Sequence, residues 1–211
     1  IKSSVTFTAS NKTWNFTEEE KAISLYMNTS WQTVNLINSS STFESVKTDE
    51  DGNSIAILNM KRIVAGASTE YTVFYQVLSA PHNLPNIDES NMLSLSDIPH
   101  NLTDPYLSDS GTWMTNNTTL QSLAENLTGT ETKVLVIVEN FVNWIWTHIK
   151  YPQISHEVPL YPNETLSNPN EGDCDDQAIL LISLCHIIGI PAYLQIGCIY
   201  DSKINTSATL A

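Results

Sequence analysis

The run Gly172-Asp173-Cys174-Asp175-Asp176 stands immediately before a long apolar stretch. A cysteine at the start of a helix faces unpaired backbone N–H groups and the positive end of the helix dipole, and both favour thiolate, the nucleophilic form, over thiol. Gly172 permits close backbone approach, and the flanking aspartates suit a first helical turn electrostatically. Their carboxylates also oppose thiolate formation, so activation of Cys174 needs an imidazolium partner. The candidate chemistry is nucleophilic attack by Cys174. A small buried cysteine without chemistry is the plain alternative.

The other titratable residues form weaker patterns. His148 and His156 flank a proline-rich loop and read as exposed loop histidines, while His82 and His100 have no ligand spacing. His186 is the only histidine after Cys174; twelve positions along one helix, it lies far up the axis from the sulfur and cannot act as its base. Asp173, Cys174, Asp175 and Asp176 together suggest a metal site, but neighbouring helical side chains diverge and no C-x-x-C or H-x-x-x-H spacing accompanies them, so no metal is expected. The segment 168–173 lacks the alternating oxygen ligands of a calcium loop. Without a Gly-rich phosphate loop or a G-x-S-x-G elbow, no cofactor is expected either. Trp144 and Trp146 read as core or cleft wall rather than a substrate platform.

Helices must position Cys174. Apolar residues surround the stretch from Cys174 to Ile188 almost completely, which marks a buried central helix that Gly189 stops and Pro191 cannot continue. Before it, Val134, Ile137, Val138, Phe141, Ile145 and Ile149 form a helical stripe, and Leu120, Leu123, Ala124 and Leu127 mark a shorter helix that Gly129 closes. Tyr151-Pro152 leads into a polar loop with four prolines. After Pro191, a strand is expected from Tyr193 to Tyr200.

This arrangement resembles the transglutaminase-like superfamily. Glu164-Thr165-Leu166, Gly172 to Asp176, the apolar helix and Gly189-Ile190-Pro191-Ala192 carry the resemblance. Trp144 to Tyr151 looks like the end of the preceding helix, and Tyr106-Leu107 with 120–129 looks like the entry to the domain. It spans roughly residues 104–200 and is most specific from Gly172 to Ala192. The resemblance implies a papain-like α+β core that uses a Cys-His-Asp triad for acyl transfer at amides, with Cys174 in the nucleophile position. The family's histidine lies a few tens of residues after Gly-Ile-Pro, and its aspartate on the next strand. Here the sequence runs only twenty residues past Pro191. The expectation is therefore a core incomplete at its C-terminus, with no histidine of 1–211 within reach of the sulfur.

The first eighty residues read as β. Val5 with Phe7, Ile23 with Leu25 and Met27, Val34 with Leu36, Ile55 with Ile57, and Tyr71, Val73, Tyr75 and Val77 each alternate with polar neighbours. Turn signals separate them at 38–41, 51–53 and 65–67, which suggests a small β-sandwich. The division is residues 1–80 as a β-sandwich-like domain, 81–117 as a connecting segment and 118–211 as the transglutaminase-like core. The expected fold class is α+β, with no helix longer than eight residues before Ser79.

The chain has 211 residues, 41% of them hydrophobic, enough to bury a core. A net charge of −14 argues against a nucleic-acid partner. N-x-[ST] occurs at Asn11, Asn15, Asn28, Asn38, Asn101, Asn116, Asn117, Asn126, Asn163 and Asn205, against roughly four expected by chance at this Ser/Thr content. That excess points to a glycoprotein, secreted or displayed at the cell surface, with Asn116, Asn117 and Asn163 the favoured acceptors. An oxidising compartment would allow a Cys185–Cys198 disulfide; three unpaired thiols is the equal alternative. Two functions follow. One is a secreted thiol acyl-transfer enzyme, peptidase or transamidase, acting on a protein or peptide. The other is a non-catalytic surface-layer or extracellular-filament subunit that keeps the fold and self-assembles through its N-terminal strand or an open sheet edge.

Overall fold

The structure is a computed structural model, and it describes residues 1–81, 91–107, 111–153 and 158–197. Two compact units divide the chain, Ile1–Pro85 and Asn86–Ala211.

The first unit is built from eight strands: β1 Lys2–Thr8, β2 Trp14–Asn15, β3 Ala22–Ser24, β4 Gln32–Ser39, β5 Phe43–Thr48, β6 Ser54–Leu58, β7 Arg62–Ile63 and β8 Ser68–Ser79. They form sheets ordered β1-β8-β4, β3-β6-β5 and a short β2-β7 pair. In β8 the inward residues Tyr71, Val73 and Tyr75 are buried, and they pack with Leu58 of β6, flanked by Ile23 and Phe43 of the second sheet and by Val5, Phe7 and Val34 of the first. Two antiparallel sheets sharing one apolar layer make a β-sandwich-like domain, as the alternating pattern requires. A three-residue 3-10 turn, Glu19–Lys21, is the only helical element before Ser79.

Two strand readings shift. Leu36, expected in the core, is 48% exposed, because the β4–β8 register slips between Leu36 and Asn38; a bulge bends the strand and re-aims the side chain. In β6, Leu58 rather than Ile55 reaches the shared core, and Ala56 and Ile57 are buried too, so this central strand is covered on both faces.

Apart from one β-bridge between Ser94 and Lys133, the regular elements in the described part of the second unit are helices: α1 His100–Tyr106, α2 Thr118–Thr128, α3 Val134–His148, α4 Pro162–Ser167 and α5 Cys174–Ile188. The Asn117 Oδ1 accepts from the backbone N–H groups of Thr119 and Leu120 and so caps α2. Leu120 and Ala124 of α2, Ile137, Phe141 and Ile145 of α3, and Leu180, Leu184 and Cys185 of α5 form one core, joined by Ile149 and Ile190. Gly189 closes α5 in the left-handed region at φ 84°.

The segment expected as a connector, 81–117, joins this unit in its described part. Leu95 and Ile98 pack on the helical core, the carbonyl of Leu93 accepts from Val134, and that of Tyr106 accepts from Ala192. Its apolar residues lack a period because a 3-10 turn and one short helix, not a long element, present them. The expected strand from Tyr193 is absent from 193–197. Those residues have no ladder partner among the described residues, and Tyr193 and Ile196 are 64% and 70% exposed. Cys198, Ile199 and Tyr200 lie outside the described residues.

Candidate active site

Cys174 is the first residue of α5 and is exposed, although the helix behind it is the most buried among the described helices. What holds the sulfur at the surface is a set of buried polar contacts on either side of it. Asp173, the N-cap, is 2% exposed and extended at φ −86°, ψ −163°. Asp176, fully buried, accepts the Asp173 N–H at 3.0 Å with one carboxylate oxygen and the Leu160 N–H at 2.6 Å with the other. One carboxylate thus ties the loop ahead of α4 to the mouth of α5. Gln177 adds a bond from Nε2 to the Gly172 carbonyl at 2.8 Å.

Gly172 sits where a side chain cannot. A Cβ there would collide with Cγ2 of Ile149, buried at the end of α3, and would lie 3.2 Å from Cγ2 of the fully buried Thr165. The close approach inferred from the sequence is a three-way contact of α3, α4 and the start of α5. The helix α4 that provides Thr165 was not expected in the proline-rich loop. Pro162 opens it and Glu164 accepts the Tyr161 N–H at 2.9 Å, a proline-first start with an acidic residue two positions on.

The acidic neighbours of Cys174 correct one expectation. Ligand atoms of Asp173, Cys174 and Asp175 lie within 4.8 Å of one another. They do not diverge, because Asp173 is still in extended backbone and turns back over the helix start. A hydrogen bond from the Asp173 carboxyl is the main reason the Asp175 carboxyl titrates above its usual range, with burial next.

His148, read as an exposed loop histidine, is exposed but closes helix α3. His148 stacks on Trp144, ring centroids 4.4 Å apart, and its Nδ1 bonds the Thr147 hydroxyl and the Trp144 carbonyl, both at 2.8 Å. His186 is buried against Trp113, and its Nε2 donates to the Ala192 carbonyl at 2.9 Å. His100 opens α1. Among the described residues, no histidine hydrogen-bonds Cys174; His82 and His156 lie outside them.

Farther along α5 from Cys174, the helix borders a groove. Gln177, Ala178 and Leu181 stand three, four and seven positions beyond Cys174, on one face of α5. With Val142, Ile145 and Trp146 of α3 they line a shallow apolar depression of about 170 Å³. Trp146 is 82% exposed and forms its outer wall, whereas Trp144 packs at the edge of the core.

The two described cysteines differ sharply. Burial in the core pushes the Cys185 thiol up to about 12, so it holds no thiolate near neutrality. Its proposed disulfide partner, Cys198, lies outside the described residues. Brief iodoacetamide treatment of the native protein at pH 8 is expected to alkylate Cys174 and leave Cys185 unmodified until denaturant is added. Peptide mass mapping checks this, and early label on Cys185 would contradict the buried placement.

The sequon asparagines separate by environment. Asn11, Asn15, Asn28, Asn38, Asn101, Asn116 and Asn126 are exposed. Asn117 is occupied as the α2 cap. Asn163 is partly buried within α4, and the threonine of its sequon, Thr165, is fully buried. Asn205 lies outside the described residues.

A family model described as the transglutaminase-like superfamily matches residues 121–209. No curated protein matches the chain. Among solved structures, the crystal structure of a "putative cysteine protease" from Cytophaga hutchinsonii superposes with a TM-score of 0.63 at 21% sequence identity, over 97% of this chain and 67% of that one. The chain and that protein share a fold, and the buried helix begun by Cys174 falls inside the matched segment. The segment of the second unit from 121 to 209 is thus similar to the transglutaminase-like superfamily.

Proposed function

We propose that this chain is a secreted or cell-surface thiol acyl-transfer protein that acts on amides of a protein or peptide, with Cys174 as nucleophile. The observation that carries the reading is the placement of one exposed thiol at the first position of a buried helix, inside the segment that matches a thiol-based enzyme family. The thiolate attacks the amide carbonyl, and the first-turn N–H groups of α5 face the oxyanion that forms. The thiol proton passes to a base and then to the departing amine as the C–N bond breaks. The resulting thioester is released to water, which is hydrolysis, or to a second amine, which is transamidation. Sequon density supports the compartment, and no helix among the described residues is long and apolar enough to cross a membrane.

A second reading, a structural subunit that keeps the fold without the chemistry, is favoured by the absence of any histidine bonded to Cys174 among the described residues. Self-assembly would then be its partner mode.

An activated acyl ester, whose leaving group needs no protonation, separates the two readings. Incubated with 4-nitrophenyl acetate, the wild type is expected to gain one acetyl mass on the peptide containing Cys174 and to lose it on adding a primary amine. Cys174→Ala is expected to gain none. A wild type that stays unmodified while free glutathione is acylated under the same conditions favours the structural reading.

A further inference from the structure

Strand β4 lies at the edge of the sheet ordered β1-β8-β4, so one side of its backbone has no strand partner. Along an antiparallel edge, alternate residues aim their N–H and C=O outward. The start of this edge is already covered. The Val34 N–H donates to the Asn28 side-chain oxygen at 2.6 Å, and the Thr29 N–H donates to the Gln32 carbonyl at 2.8 Å. Cover ends there. Leu36 and Ile37 follow, 48% and 63% exposed, and Ile37 is the extra residue of the bulge. An exposed edge with two adjacent large apolar residues invites pairing with another chain.

Asn38 closes this open stretch and begins the sequon Asn38-Ser39-Ser40. It is exposed and pairs across the ladder with Phe74. Phe74 alternates with the buried Val73 and Tyr75, so both Asn38 and Phe74 stand on the outer face of the sheet, where Phe74 is 40% exposed. The Asn38 Oδ1 accepts from the Ser39 N–H at 2.8 Å. Its Nδ2, the atom a glycan would occupy, is bonded to no described residue. The geometry points to Asn38 as an N-glycan site whose sugar covers Phe74 and blocks the open β4 edge beside Leu36 and Ile37, which holds the β unit monomeric. The glycan does the work that charges or prolines do on other edges. This rests on the proposed secreted or cell-surface location.

The test is the full chain secreted from an N-glycosylating host. Glycopeptide mapping is expected to find Asn38 occupied, and light scattering to find a monomer. Asn38→Gln is expected to shift the protein to dimers and larger species at the same concentration. Adding Ile37→Lys to that variant places a charge on the bare edge and is expected to restore the monomer, which a mere folding defect would not allow. If Asn11, Asn101 or Asn126 carries glycan and Asn38 does not, the site assignment is wrong while the location stands. If no sequon is occupied, the location itself fails and takes the assignment with it. An Asn38→Gln protein that stays monomeric, or whose oligomers survive Ile37→Lys, overturns the role in edge protection.

Discussion

Phe141→Ala is expected to cost the second unit about 3–5 kcal/mol, the range for deleting a fully buried aromatic ring. Phe141 is 0% exposed and belongs to the cluster in which Leu120 and Ala124 of α2 meet Leu180 and Leu184 of α5. Helices on several sides limit collapse into the void. The loss is a large share of the ~5–15 kcal/mol that stabilises an ordinary domain. Hydrogen exchange read by peptide mass is the suitable measurement. Peptides from α2, α3 and α5 should lose protection together in the variant. Those of β8, whose core is Leu58, Tyr71, Val73 and Tyr75, serve as the reference within the same molecule. A change below about 1 kcal/mol in the helical peptides would mean that the ring does not fill the centre of this core.

The elements that were legible in the sequence are those whose burial repeats with their own period. In β8, Tyr71, Val73, Tyr75 and Val77 share a face because the strand runs unbroken for twelve residues. The α5 boundaries were written twice, in the apolar run and in its punctuation: Asp173 ahead of it, Gly189 behind. Leu36 misled because a bulge is a tertiary event with no local mark in Asn35-Leu36-Ile37-Asn38. The short helices α1 and α4 hid for a related reason, since six or seven residues among prolines complete too few turns to show a period. The residues from Tyr193 carry a strand's composition, but a strand exists only where another strand accepts its hydrogen bonds, and 193–197 have none among the described residues. At the site, Cys174 was legible as the first residue of a buried helix, and its exposure was not. The role of Asp176 was not. It reads as one more acid suited to a helix dipole, because its partner Leu160 lies sixteen positions upstream and only folding brings them together. The one available signal was Asp173 followed three residues later by Asp176, an acidic form of the capping box.

That hidden role makes Asp176→Ala the second large effect, about 2–4 kcal/mol. The carboxylate accepts two backbone N–H groups, from Leu160 at 2.6 Å and Asp173 at 3.0 Å, while fully buried. Hydrogen bonds to a charged acceptor contribute about 1.5–3 kcal/mol each, and stranded donors in a buried site add their desolvation cost. Relief works the other way. Removing a buried anion ends its repulsion of Asp175, which is the smallest of the effects that raise that carboxyl. One minor repulsion cannot offset two charge-assisted bonds, so the net sign is destabilising. Asp176→Asn separates geometry from charge. It keeps the shape and one acceptor oxygen but turns an NH₂ toward the other donor, so it should recover only part of the loss. The consequence for the site differs from that of Phe141→Ala. Asp176 bridges the loop before α4 and the cap of α5, so its loss should fray the helix start that presents Cys174 before it melts the core. In urea titrations both variants shift the midpoint. In native buffer only Asp176→Ala should raise hydrogen exchange at the first turn of α5 while leaving the Leu180–Leu184 amides protected. Equal loss along the whole helix would show that Asp176 supports the core at large and not the mouth of the site.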